Sequence, residues 1–140
     1  MSKVFFDTNV FIYLFEGVEP FRSRTLEIRK RMIDRGDRIV TSTMTLGEVM
    51  VKPVKLGQTT LAEQYDRAIR AAAQVVAFDA AVAYRYASIR ATFRIRNADA
   101  IQLACAAHTG VDLFLTNDED LQKLNVAGIG FIASLDRAPL

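Results

Sequence analysis

A chain of 140 residues with a net charge of +2, about half of it apolar and a quarter charged, has the composition of a soluble, globular domain with a buried core. No apolar run approaches the roughly 18 residues of a transmembrane helix, and the single cysteine, Cys105, excludes an internal disulfide. One cysteine and one histidine argue against a Cys/His zinc site, and the lone cysteine suits a reducing cytoplasm. No signal peptide is expected.

Strands and helices alternate along the chain. Gly17 and Pro20 separate the first two helices, and Pro53 is expected to end the third. Thr60–Glu63 has the pattern of a capping box that opens the fourth. In chain order, the predicted elements are a strand at Lys3–Phe6, a helix carrying Phe11 to Phe15, a helix at Phe21–Arg35, a strand at Arg38–Thr41, a helix at Thr43–Val51, a helix at Thr60–Ala73, a strand at Gln74–Phe78, a helix at Ala80–Phe93, a helix at Ala98–His108, a strand at Asp112–Leu115, a helix at Asp118–Leu124 and a strand at Ile129–Ile132.

Most of the predicted strands are apolar on both faces, which is typical of a parallel sheet covered by helices on each side. Right-handed crossovers then bring the carboxyl ends of the strands to one edge of the sheet. The sequence therefore predicts an α/β fold, a three-layer α/β/α sandwich with a mainly parallel sheet of about five strands. We expect it to form a single domain over residues 1–140.

Basic residues are unevenly distributed along the chain. Between Arg22 and Arg38 there are seven basic residues and three acidic ones, and between Ala80 and Ala98 there are four arginines and no acid. Such runs are usually solvated helix faces, but they also suit a polyanionic partner such as nucleic acid. Composition alone leaves both interpretations open.

Four acidic residues are expected near the carboxyl edge of the sheet: Asp7, Glu48, Asp99 and Asp118. Each alone has a structural explanation, as a helix cap, a first-turn acid or an exposed helix residue. Together they raise an electrostatic problem, because two carboxylates ~4 Å apart repel by roughly 4 kcal/mol at an effective dielectric near 20. Such a cluster needs protons or a cation. Oxygen ligands without His or Cys suit Mg²⁺ or Mn²⁺, and therefore metal-assisted phosphate chemistry.

The stretches FFDTNVFI, TLGEVMVKP, NADAIQLACA and LFLTNDEDL resemble, in this order, the acidic motifs of PIN-domain ribonucleases and, within them, the VapC-type toxins of toxin–antitoxin pairs. The likeness covers essentially the whole chain. It implies that Asp7, Glu48, Asp99 and Asp118 are the catalytic acids and bind Mg²⁺ or Mn²⁺. It further implies supporting or substrate-contacting roles for Thr8, Asn9, Thr116, Asn117, Asp120, Arg94 and Arg96.

The reaction implied by this resemblance is the metal-dependent hydrolysis of RNA phosphodiester bonds, which leaves 5′-phosphate and 3′-hydroxyl ends. The implied role is that of a cytoplasmic toxin that inhibits translation. The implied partners are the RNA substrate, a cognate antitoxin whose C-terminal segment inserts near the active site, and a second copy in a homodimer. No membrane association is expected.

Other function classes fit the residues less well. A phosphatase of the haloacid-dehalogenase type needs a second acid two residues after Asp7, where Asn9 stands. A response-regulator receiver domain would need paired acids at the first strand, and a Ser–His–Asp hydrolase could use only His108. A stand-alone RNA-processing PIN nuclease and a non-catalytic PIN scaffold that binds RNA or protein remain alternatives.

Overall fold

Short apolar runs that can be buried on both faces form the strands of one sheet. The strands are β1 (Lys3–Phe6), β2 (Arg38–Ser42), β3 (Ala73–Val76), β4 (Leu113–Leu115) and β5 (Phe131–Ala133). In the computed structural model, which describes residues 1–140, they lie in the order β3-β2-β1-β4-β5, and every neighbouring pair is parallel.

Seven helices connect these strands and cover both faces of the sheet. They are α1 (Thr8–Glu16), α2 (Phe21–Arg35), α3 (Thr43–Lys55), α4 (Thr59–Ala72), α5 (Ala80–Thr92), α6 (Asn97–Thr109) and α7 (Glu119–Gln122). None of them has both the length and the apolar character that a membrane span requires. The predicted three-layer α/β/α sandwich with a parallel sheet of five strands is confirmed.

The central strand β1 shows how the sheet separates two cores. Phe5 points to one face, where its ring stacks on Phe114 of β4 with the ring centroids 4.8 Å apart, in a cluster with residues of α5 and α6. Val4 and Phe6 point to the other face and pack with residues of α1, α2, α3 and α4. Successive side chains of a strand alternate between faces, so a strand that is apolar throughout requires cover on both sides.

Two predicted details at the third and fourth helices are wrong. Pro53 does not end the third helix, because α3 continues through it to Lys55. The proline lies in the last turn and its ring is buried, so the helix loses one hydrogen bond near its end and gains apolar contact there. The capping box at Thr60 is absent, since α4 begins at Thr59 after Gln58 and no side chain caps it.

The parallel arrangement places the carboxyl ends of all five strands along one edge, called here the carboxyl edge. Asp7 directly follows β1, and Thr116 directly follows β4. These two strands are neighbours in the sheet, with Phe6 opposite Leu115. The residues that end them therefore meet at the centre of the carboxyl edge.

Candidate active site

Asp7 leaves the buried strand β1 in an extended conformation and caps α1. Its Oδ1 atom accepts hydrogen bonds from the backbone N–H of Thr8 (2.8 Å) and from Nε2 of Gln102 (3.3 Å), and its Oδ2 atom accepts one from Oγ1 of Thr116 (2.7 Å). The residue is only 7% exposed. Burial raises the pKa of this carboxyl to about 6, although the three hydrogen bonds lower it and nearby Asp99 raises it further.

Thr8 links the first acid to Glu48. Its Oγ1 atom donates to Oε1 of Glu48 over 2.6 Å and lies 3.3 Å from the hydroxyl of Thr45. Helix α3 brings Glu48 there because it starts immediately after β2, with Ser42 as its cap, and so places its second turn at the carboxyl edge. Glu48 is half-buried. The hydrogen bond from Thr8, the residue after Asp7, sets the position of its carboxylate.

Asp99 lies in the first turn of α6, where the helix dipole favours a negative charge. Both of its carboxylate oxygens are bonded to Arg96, with Nε to Oδ2 at 3.0 Å and Nη2 to Oδ1 at 3.2 Å. The hydrogen bond and the charge of Asp99 raise the pKa of this guanidinium, and the charges of Asp118 and Glu48 raise it further. Arg96 thus lies within electrostatic reach of three of the four predicted acids, while Asp7 is bonded to neutral donors only.

The Thr116 hydroxyl joins Asp7 to the loop that carries Asp118. It donates to Asp7 and accepts from the backbone N–H of Asp118 (3.1 Å) and from Nδ2 of Asn9 (3.3 Å). Asp118 is itself a cap, since its Oδ1 atom accepts from the backbone N–H of Asp120 over 3.0 Å. Asp7 and Asp118 are therefore helix caps and neighbours in one hydrogen-bonded network.

A cleft of about 470 Å³ adjoins this network, with acidic and basic side chains on its walls. It is lined by Arg90, Arg94, Ile95, Arg96, Asp99, Asp118, Asp120 and Leu121. The cleft brings the predicted RNA-contacting arginines together with two of the four predicted acids and with Asp120. Arg90 is an additional basic residue on its wall, and it belongs to the acid-free arginine run of the sequence.

Three residues, Asn117, His108 and Cys105, lie outside this arrangement. The side chain of Asn117 donates to Oη of Tyr13 (3.4 Å) and accepts from the backbone N–H of Leu135 (3.4 Å), so it faces away from the four acids. His108 lies in the last turn of α6, at the opposite end of the helix from Asp99. Burial raises the pKa of the Cys105 thiol to about 11, as expected for an unreactive core residue.

Sequence reasoning missed Gln102, Thr45 and Ser42. Gln102 is 1% exposed, and its carboxamide contacts Asp7, Thr8, Thr45 and Ser42 at the centre of the network. A signal was present, because an amide in the apolar, Ala-rich helix needs buried partners, and residues three apart on a helix share a face. Gln102 is three residues after Asp99.

The acidic residues have the chemistry of a divalent-cation site, although no group of three or more carboxylate, imidazole or thiolate side chains is arranged to share one ion. Arg96 engages both oxygens of Asp99, and Thr8 engages Glu48. An unpartnered polar atom supports the fit: Oδ1 of Asn9 is buried next to Asp7 without a hydrogen-bond donor. Carboxylate oxygens with a free amide oxygen beside them suit Mg²⁺ and the waters that it retains.

The comparisons with known proteins agree with this architecture. The chain is 28% identical over 119 residues to ribonuclease VapC23 of Mycobacterium tuberculosis, an alignment that covers 84% of this chain and 94% of the relative. A toxin–antitoxin complex from Klebsiella pneumoniae contains a chain that is 27% identical, with a TM-score of 0.64 and coverage of 90% of this chain and 94% of that one.

A second similar structure shows the fold alone. A chain of VapBC2 from Rickettsia felis, bound to a DNA fragment from its promoter, superposes with a TM-score of 0.75 at 13% identity and covers 94% of this chain and 98% of that one.

The family model of the PIN domain matches residues 4–127, which include all four predicted acids. The chain therefore belongs to the PIN-domain family.

Proposed function

We propose that this protein is an endoribonuclease that depends on Mg²⁺ or Mn²⁺, and that it is the toxin of a toxin–antitoxin pair. The observation that supports the activity most strongly is the hydrogen-bonded network in which Thr116 joins Asp7 to Asp118 and Thr8 joins Asp7 to Glu48. The network borders a cleft whose wall carries three arginines. Acids beside a basic cleft suit the cleavage of a polyanion.

The residues that would hold the cation are Asp7, Asp99 and Asp118, with Glu48 as a fourth or outer ligand. When bound there, Mg²⁺ or Mn²⁺ supplies the Lewis acidity that polarises a phosphate and activates water. Burial makes Asp7 costly to ionise without a nearby cation, because desolvation raises its pKa to about 6. A cation at this position would therefore stabilise the ionised form of Asp7 most.

The other side chains position the acids and the substrate. Thr116 and the Thr8 N–H fix both oxygens of Asp7, and Asp118 is held at the start of α7 by its cap. Arg94 and Arg96 would bind the RNA backbone, a contact that weakens as salt concentration rises. Because Arg96 bonds to both oxygens of Asp99, its guanidinium would compete with an ion for that carboxylate.

The toxin assignment is supported by the relatives. One is named as a VapC ribonuclease, and another was solved as part of a toxin–antitoxin complex. On this proposal the protein acts in the cytoplasm, cuts RNA needed for translation, works as a homodimer and is inhibited by a cognate antitoxin. Expression should then stop growth, and a small protein encoded beside it should restore growth. Growth that is unaffected by expression of an RNA-cleaving protein would favour a stand-alone processing nuclease.

A cleavage assay tests the proposed activity. The purified protein is incubated with cellular RNA and with defined oligonucleotides in Mg²⁺, in Mn²⁺ and in excess EDTA, and the product ends are mapped. We expect cleavage that EDTA abolishes, with 5′-phosphate and 3′-hydroxyl products. Hydrolysis of p-nitrophenyl phosphate without any cleavage of RNA would instead indicate a phosphatase, and binding of RNA without cleavage would indicate a scaffold.

A further inference from the structure

Gln102 is the largest fully buried polar side chain at the carboxyl edge. Its Nε2 atom lies 2.7 Å from Oγ1 of Thr45, 3.1 Å from Oγ1 of Thr8 and 3.3 Å from Oδ1 of Asp7. Its carbonyl oxygen accepts a hydrogen bond from the hydroxyl of Ser42. The residue is 1% exposed, so these contacts are shielded from bulk solvent.

The contacts of this amide reach two of the predicted acids. It bonds directly to Asp7, and it bonds to Thr8, whose hydroxyl donates to Glu48. We infer that Gln102 is a positioning residue, which holds Asp7 and, through Thr8, Glu48 in the one arrangement that binds the divalent cation. This inference rests on the function proposed above.

An amide suits this position for three reasons. Its two N–H hydrogens face three acceptor oxygens, those of Asp7, Thr8 and Thr45. Two of these oxygens therefore share one hydrogen, and all three are held close together. It carries no charge, so it orients Asp7 without neutralising it as a lysine would. Its own oxygen is anchored to Ser42 at the end of β2, and the amide therefore ties α6 to the start of α3.

The inference is tested by Mn²⁺ binding to the full-length protein, measured by calorimetry without RNA. Gln102→Met keeps the length of the side chain but removes its hydrogen bonds, and the loss of a residue that orients a metal ligand typically weakens metal affinity by roughly 10- to 100-fold. Gln102→His retains an N–H donor and should recover part of that loss. Thr25→Val is the matched control, since Thr25 is a buried, hydrogen-bonded residue of α2 without contact to any of the four acids.

The expected result is a Mn²⁺ affinity at least ~10-fold weaker in Gln102→Met, partly restored in Gln102→His and unchanged in Thr25→Val. At saturating RNA, kcat should fall with metal affinity while KM stays within about twofold. Equal Mn²⁺ affinity in wild type and Gln102→Met would overturn the inference. If Gln102→Met does not fold, Ser42→Ala releases one end of the amide without touching an acid, and an unchanged affinity in that variant would overturn it equally.

The same measurements separate this inference from the proposed function. Wild-type protein that binds Mn²⁺ but leaves RNA intact would contradict the proposed function, and the Mn²⁺ affinities of the variants would still decide the role of Gln102. RNA cleavage with no effect of Gln102→Met on Mn²⁺ binding would contradict only the inference. Absence of Mn²⁺ binding to the wild type would overturn both.

Discussion

The two ends of the sheet both carry carboxylates, but they use them differently. At the amino end, Asp37 precedes β2 and accepts the backbone N–H of Ser2 over 2.7 Å, while Asp112 precedes β4 and accepts that of Lys3 over 2.8 Å. Each acid binds one backbone donor at the beginning of β1. The Oδ2 atom of Asp37 is buried without a hydrogen bond and lies 3.2 Å from Nε of Arg35, with which it forms an ion pair. The two carboxylates share no partner with each other.

At the carboxyl edge the acids share their partners. Thr116 serves both Asp7 and the loop of Asp118, and Thr8 serves both Asp7 and Glu48. The shared donors bring the acidic side chains close together. Burial of Asp7, the central acid, raises the free energy of ionising its carboxyl group. An acid at a strand end of this sheet is therefore a candidate ligand when it shares its hydrogen-bond donors with a second acid.

The largest expected difference between the two ends is in catalysis. Asp7→Asn, Asp99→Asn and Asp118→Asn should each lower the rate of RNA cleavage at least ~100-fold, since each removes a ligand charge. Asp112→Asn, at the amino end, should leave the rate within about twofold. Rates are measured under single-turnover conditions with a fluorescent RNA oligonucleotide in Mg²⁺. Full activity in any of the three carboxyl-edge variants would remove that residue from the site.

The next effect is on stability, through the pKa of Asp7. This carboxyl has an ordinary pKa of 3.8 and a folded-state pKa of about 6, so between these pH values the native protein binds more protons than the unfolded chain. Stability contributed by the protonated form is therefore lost as pH rises through 6, by about 3 kcal/mol in full. In the Asp7→Asn variant residue 7 cannot ionise, so this variant does not lose stability in that way as pH rises.

In EDTA, the melting temperature of Asp7→Asn relative to wild type should therefore rise between pH 4.5 and pH 7.5. Calorimetric scans at several pH values measure the difference, and Asp112→Asn serves as the control for removal of one negative charge. A difference in melting temperature that stays constant over this pH range would contradict the burial cost assigned to Asp7.

Divalent ions should stabilise the folded protein to a smaller extent. Mg²⁺ at ten times its dissociation constant contributes about 1.4 kcal/mol, which corresponds to roughly 3–6 °C in melting temperature for a domain of this size. Asp118→Asn should reduce this increase, whereas Asp112→Asn should retain it. A melting temperature that does not change across millimolar Mg²⁺ would count against a divalent-ion site at the carboxyl edge.

The smallest effect concerns Arg96, which bonds to both oxygens of Asp99. Arg96→Gln removes this competing cation and should strengthen Mn²⁺ binding by about fivefold, the scale of an exposed ion pair. It should also weaken RNA binding and its dependence on salt. Arg94→Gln, which removes the same charge from a residue without an ion pair to Asp99, should weaken RNA binding but leave Mn²⁺ affinity nearly unchanged. Weaker Mn²⁺ binding in Arg96→Gln would contradict competition.

The fold could be predicted because its signals are local and redundant. Apolar strands and glycine stops such as Gly36 and Gly110 agree with the parallel architecture, and the predicted helix Phe21–Arg35 matches α2. The prediction at Pro53 fails because packing in the last turn of a helix outweighs the loss of one hydrogen bond. A rule based on the local sequence carries no information about that packing.

The candidate site was predictable only in part. The sequence predicts a parallel sheet whose carboxyl ends meet at one edge, but it does not give the strand order, which makes β1 and β4 neighbours and so brings Asp7 and Asp118 together. The sequence suggested a choice between cap and site residue, but Asp7 caps α1 and also lies at the centre of the network. The roles of Gln102 and the pairing of Arg96 with Asp99 depend on side-chain rotamers and on contacts between distant elements, which a single sequence does not specify.

The most direct test of the account is to locate the metal. Crystals grown with MnCl₂ can be measured at the Mn absorption edge, where anomalous scattering identifies the ion independently of the protein atoms. We expect a strong peak in direct contact with the carboxylates of Asp7, Asp99 and Asp118, with Arg96 displaced from Asp99. A peak at the amino end beside Asp37 or Asp112, or no peak at the carboxyl edge at saturating Mn²⁺, would contradict it.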